Sequence, residues 1–108
     1  MGSNTREIFT RRYGRFNVHS MKSARLSGDK IIRDIARDPE FKPSTRGLAI
    51  LELGEGDRED AIFLCYLLAD VTHPCIRHDI LCALERAIDR EVFPQEIIRE
   101  ISGMITVN

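Results

Sequence analysis

The stretch Ala61-Ile-Phe-Leu-Cys-Tyr-Leu-Leu-Ala69 constrains this chain more than any other, because it runs for nine residues without a charge. It is about half as long as a membrane span requires. Asp57 stands where an N-cap is needed, and Glu59 and Asp60 then fall in a first helical turn, where carboxylates suit the positive end of the helix dipole. The run is therefore expected to be a helix, and a helix apolar around its whole circumference must be covered on all sides. A chain of 108 residues makes one small domain. Such a domain buries roughly 60–70% of the surface its unfolded chain exposes, so its core margin is thin. Covering the run from every side strains so short a chain. A homodimer that shares the core, or an apolar surface kept for a partner, relieves the strain.

The remaining signals are helical too. Asn4 and Glu7 have the spacing of a capping box, with Ile8, Phe9, Tyr13 and Phe16 at near-helical intervals before Gly14 and Asn17 stop the pattern. A second stretch runs from Ser20 to Arg37 with a break expected at Ser27-Gly28; Ile31, Ile32, Ile35 and Ala36 form its buried face, and Asp38-Pro39 ends it. Residues 40–45 read as a loop. Leu48 to Leu53 fits either a helix capped by Ser44 or Thr45 and closed by Gly54, or one buried strand; helix is preferred because no second strand is there to pair. Thr72 is expected to cap a helix with Pro74 in its first turn that reaches about Glu91. Phe93-Pro94 breaks it, and a last helix, Gln95 to Ile105, buries Ile97, Ile98, Ile101, Met104 and Ile105.

The expected fold is thus all-α, a compact bundle of five or six short helices, homodimeric, with the 61–69 helix at its centre between the 73–91 and 95–105 helices. No solenoid period is visible. The pentads Ile31-Ile-Arg-Asp-Ile35 and Ile97-Ile-Arg-Glu-Ile101 match no better than two short amphipathic helices do by chance.

Charge divides the chain further. Overall there are 16 Lys and Arg against 17 Asp and Glu, a net charge of -1 that favours neither nucleic acid nor membrane. Residues 1–25 nevertheless carry six basic groups and one acid, so a basic N-terminal arm (1–25) is expected beside a helical bundle domain (26–108). Within the arm Arg11, Arg12, Tyr13, Arg15, Phe16, Lys22 and Arg25 interleave cations with aromatic rings. That mixture stacks on bases and clamps phosphates. It equally describes an arm that pairs with an acidic body through its cations and anchors through Tyr13 and Phe16, the preferred reading. A helix–turn–helix laid on Leu68 to Leu81 places Ala69 and Ile76 well but is disfavoured: His73 stands where Gly is usual, Asp79 where an apolar contact is needed, and Arg77 is offset by Asp79.

The densest set of reactive side chains is His73, Cys75, His78, Asp79 and Cys82. On a helix, Ile76, Ile80, Ala83, Leu84 and Ala87 share one face, while Cys75, His78 and Cys82 fall opposite, near Arg86 and Asp89. Cys75 and Cys82 would stand about 10.5 Å apart along the axis, too far for both to hold one zinc ion. His78 and Cys82 chelate only if another segment adds ligands, and packing of the thiols at a second helix interface is preferred. A Cys–His nucleophile would lack an orienting group and oxyanion donors. Gly54-Glu-Gly-Asp57 lacks the Gly-Lys-Ser/Thr of a phosphate loop. The acids Glu52, Glu55, Asp57, Glu59 and Asp60 read as a solvated turn and a helix cap.

No catalytic residue, metal ligand or cofactor is therefore expected. Three cysteines, an odd number, are expected to be free thiols, and with no basic-then-apolar leader the expected location is the cytoplasm. The functional expectation is a non-enzymatic regulatory protein–protein interaction module. It would be an adaptor or anti-activator that occludes another protein, a transcription regulator being one class of target, with Phe63, Tyr66 and Leu67 as anchors. The alternative is a nucleic-acid-binding regulator that uses the 6–25 arm.

Overall fold

Turn and cap chemistry cuts the chain into short helices. The computed structural model describes residues 2–91, and among them are six α-helices and no strands: α1 (Gly2–Tyr13), α2 (Val18–Leu26), α3 (Ile31–Arg37), α4 (Pro43–Leu53), α5 (Arg58–Asp70) and α6 (Pro74–Asp89). Gly14 (φ 90°) and Gly28 (φ 74°) take left-handed conformations that close α1 and turn α2 into α3. Asn17 caps α2 reciprocally with Ser20: the Asn17 side chain accepts from Ser20 N at 2.8 Å, and Ser20 Oγ accepts from Asn17 N at 3.0 Å. Asp57 and Asp60 do the same for α5. The ambiguous Leu48–Leu53 stretch is helical.

Three expected caps are displaced. α1 already begins at Gly2, which puts Asn4 and Glu7 inside the helix. Pro43 opens α4 from the Lys42 N-cap, so Ser44 and Thr45 lie within the first turn instead of capping it; a proline preset for helix and lacking an N–H needs no side-chain acceptor. His73, one residue after Thr72, caps α6 by accepting from Cys75 N through Nδ1 at 3.2 Å. The expected 95–105 helix and the Phe93-Pro94 break lie outside the described residues.

Loops of three to five residues join α1 to α2, α3 to α4 and α5 to α6, which makes three helical hairpins. α4 packs on α2, α3, α5 and α6, while α1 packs on α2 and α3, and α5 on α3 and α6. The helices accordingly form two layers, α1-α3-α5 and α2-α4-α6, and the molecule's extents of 40 × 27 × 18 Å make the thin dimension about two helices deep. One core runs through the stack, from Phe9, Met21 and Ala24 through Ile32, Ile35, Ala49 and Ile50 to Leu64, Ile76, Ile80 and Leu84.

Among the described residues the centre is α4 and not the 61–69 helix; the 95–105 helix expected on the other flank of 61–69 lies outside them. α4 is the hub, and α5 lies at one end of its layer, with no further described helix beyond it. Its buried residues are Asp60, Ala61, Leu64, Leu67 and Leu68.

The second and third hairpins are also built alike. Pro43-x-x-Arg46 opens α4 and Pro74-x-x-Arg77 opens α6, 31 residues apart. Each arginine reaches back to the carbonyl end of the preceding helix: Arg46 Nε donates to Ala36 O at 2.9 Å, and Arg77 donates to Leu68 O and Val71 O at 3.0 and 3.1 Å. Carbonyls at a helix C-terminus lack helical partners and carry partial negative charge, so a guanidinium there satisfies both. Buried Ala49 and Leu53 correspond to Ile80 and Leu84, and buried Ile32, Ile35 and Ala36 to Leu64, Leu67 and Leu68. The unit repeats because each hairpin buries its face against the next.

Arginines also fasten the hairpins to one another. Arg25 binds Glu52 at 2.5 Å across α2 and α4, Arg33 binds Asp60 at 2.7 Å across α3 and α5, and Arg90 donates to Gly54 O and Gly56 O at 2.8 and 2.7 Å. Every buried side-chain nitrogen and oxygen among the described residues has a partner.

Candidate functional site

α5 is oriented at its N-terminus by the Asp57–Asp60 capping box and by the Arg33–Asp60 ion pair. With Leu64, Leu67 and Leu68 turned into the core, helical periodicity points Tyr66 and Ala69 the other way, and Ile62 lies at the border, still packed against the core. Tyr66 is 73% exposed, the most open large apolar side chain among the described residues; Ala69 is exposed, and Ile62 and Phe63 are half-buried. The Arg33 guanidinium lies 5.8 Å from the Phe63 ring centroid, close enough for a cation–π contact that orders the ring at the edge of this face. Of the three anchors expected from the sequence, Tyr66 is on the surface, Phe63 is at its edge, and Leu67, 7% exposed, is part of the core.

The seven arm residues separate into two groups. Arg12 and the Tyr13 hydroxyl both donate to Asp29 Oδ2 at 2.7 Å, and Arg25 is paired with Glu52. Phe16 packs at 5.0 Å from Phe9 and edge-on at 5.6 Å from Phe41, with the Arg6 guanidinium over both Phe16 and Phe41 at 5.0 and 5.2 Å. Arg11, Arg15 and Lys22 remain exposed. Four of the seven therefore have intramolecular partners. Burial pushes the Tyr13 hydroxyl above its ordinary value, and the Asp29 carboxylate reinforces this. Burial also opposes ionisation of Asp29, but hydrogen bonds from Tyr13, the Ile31 N–H and Arg12 together hold it below the usual carboxylate value. Sequence reasoning missed Asp29 as the receptor of this segment; its place just before α3, where its side chain accepts from Ile31 N, was the available signal.

The acids of the 52–60 segment are less solvated than expected. Glu52 and Asp60 are buried ion-pair partners of arginines, because this segment lies where the hairpins meet. Asp57 keeps its capping role, and the Asp60 N–H that it accepts holds it below the usual carboxylate value against the cost of burial, helped by Lys30 and Arg33. A groove of about 360 Å³ between the α2–α3 and α4–α5 turns is walled by Arg25, Asp29, Lys30, Arg33, Glu55 and Asp57. Its walls carry both signs, and Arg25 and Arg33 already hold carboxylates.

On α6 the face expected to be buried is the face that is buried: Ile76, Ile80, Ala83, Leu84 and Ala87. The thiols are not packed away as expected. Cys75 is exposed and Cys82 half-buried, because the side of α6 opposite its buried face looks outward, whereas Cys65, on α5, is half-buried against the core. Cys82 Sγ lies 3.6 Å from His78 Nε2. No group of three or more His, Cys, Asp or Glu able to hold a metal ion occurs among the described residues. No described helix is long and apolar enough to cross a membrane. Comparison of the chain with protein-family models, curated proteins and solved structures finds no match in any of the three.

Proposed function

We propose that this chain is a non-enzymatic regulatory protein-binding module, an adaptor or anti-activator acting in the cytoplasm, that docks another protein on the outer face of α5. The observation that carries the reading is Tyr66, open to solvent on a helix whose inner face is locked into the core and flanked by half-buried Ile62 and Phe63. Aromatic side chains on rigid elements supply large contact area at small entropic cost, which is why they dominate binding hot spots. The mechanism is occlusion, with α5 covering a surface that the target, a transcription regulator for instance, uses for its own dimerisation or ligand response.

The test is affinity capture of the tagged chain from native lysate, with and without nuclease. A stoichiometric protein partner that survives nuclease and is lost with Tyr66→Asp is the expected result. Partners that vanish with nuclease would favour the alternative, a nucleic-acid-binding regulator. Its remaining support is the exposed trio Arg11, Arg15 and Lys22, and its binding would fall steeply with salt.

A further inference from the structure

His78 and Cys82 lie one turn apart on the outward side of α6, His78 exposed and Cys82 half-buried, with Nε2 and Sγ 3.6 Å apart. An imidazole nitrogen and a thiolate sulfur bound to one tetrahedral zinc ion stand about 3.5 Å apart, given bonds near 2.0–2.1 and 2.3 Å. The pair already has the bite of a zinc chelate, and it is held on a helix whose opposite face is fixed in the core. Among the described residues nothing else finishes the set. Nδ1 of His73 caps α6, and Cys75 is about 10.5 Å from Cys82 along the axis. No third ligand gathers among the described residues, and residues 92–108, which carry the carboxylates Glu96 and Glu100, contain no His or Cys to complete a Cys₂His₂ set.

We propose that His78 and Cys82 are half of a zinc site that a second copy of this chain completes, giving a Cys₂His₂ site on a twofold axis between two α6 helices. The twofold sets position 78 of each copy against position 82 of the other, so the helices cross antiparallel near Ile80. Glu85 and Asp89 of each copy then lie toward the N-terminal end of the other's α6, where carboxylates are favoured. Each thiol gives its proton to solvent on binding, each imidazole binds as the neutral ring through Nε2, and two thiolates balance the charge of the ion. A mixed nitrogen and sulfur set selects zinc over magnesium or calcium.

The test uses the full chain kept reduced, titrated with zinc chloride and followed by light scattering. Expected are a doubling of mass that saturates at one zinc per two chains and is reversed by EDTA, and, with cobalt chloride instead, the spectrum of a tetrahedral thiolate complex. His78→Ala and Cys82→Ser should each abolish the doubling, and Cys75→Ser should leave it intact. Because these side chains point away from the core, circular dichroism of the variants should match the parent. No change of mass at stoichiometric zinc, one ion per chain without a change of mass, or doubling that survives either variant would overturn the proposal.

Discussion

At the scale of single residues, stability rests on a few arginines and on the carboxylates and carbonyls that receive them. Arg46 is 9% exposed and donates to the end of α3. Replacing it by Ala leaves Ala36 O without this donor and should cost about 2 kcal/mol in urea unfolding. Asp60 both closes the α5 capping box and receives Arg33, so Asp60→Ala should cost about 3 kcal/mol. The exposed Arg37–Asp34 pair is the control, with an expected change below about 0.5 kcal/mol for Asp34→Ala. Asp29 and Asp57 titrate below the usual carboxylate value. Their contribution is therefore complete above the unfolded value of about 3.9 and lost as pH falls through the lower folded value. Tyr13 has the opposite sign: its raised value stabilises the fold below pH of about 10, and that is lost as pH climbs through the folded value. Asp29→Asn should flatten the acid limb of a stability–pH profile; an unchanged acid limb would contradict the role given to Asp29.

At the scale of elements, the close approach of α4 to α6 is set by a glycine. A Cβ on Gly54 would stand 2.8 Å from Cα, Cβ and O of Ala83, and two of those atoms are backbone. Gly54→Ala should force the helices apart and lower stability by about 2 kcal/mol or more, read as a shift of the urea midpoint. The buried face of α6, the break at Gly28 and the Asp57 cap were legible in the sequence, because each follows from local periodicity or local hydrogen bonding. The order of packing was not. Which helix is the hub depends on how hairpins stack, and Leu48–Leu53, too short to be assigned by pattern, became the centre. The repeat is hard to read from the sequence because Pro43/Arg46 and Pro74/Arg77 carry it by position while the apolar residues between them vary. The role of Tyr66 could be narrowed but not oriented: an all-apolar helix has no moment to say which side faces out, and only the stack supplies one.

At the scale of the whole molecule, the three hairpins leave two outward faces of different chemistry. The α5 face presents Tyr66 with Ile62 and Phe63 beside it, and the α6 face presents His78 and Cys82. The exposed cations Arg11, Arg15 and Lys22 lie on and between α1 and α2, at the other end of the stack. A photo-crosslinking amino acid, p-benzoylphenylalanine, substituted in cells for Tyr66 in one strain and for Arg15 in another separates the readings directly. If α5 is the docking face, position 66 gives a discrete crosslink to one other protein and position 15 gives no nucleic-acid adduct. Nucleic acid captured at position 15, with no protein captured at position 66, would contradict that assignment.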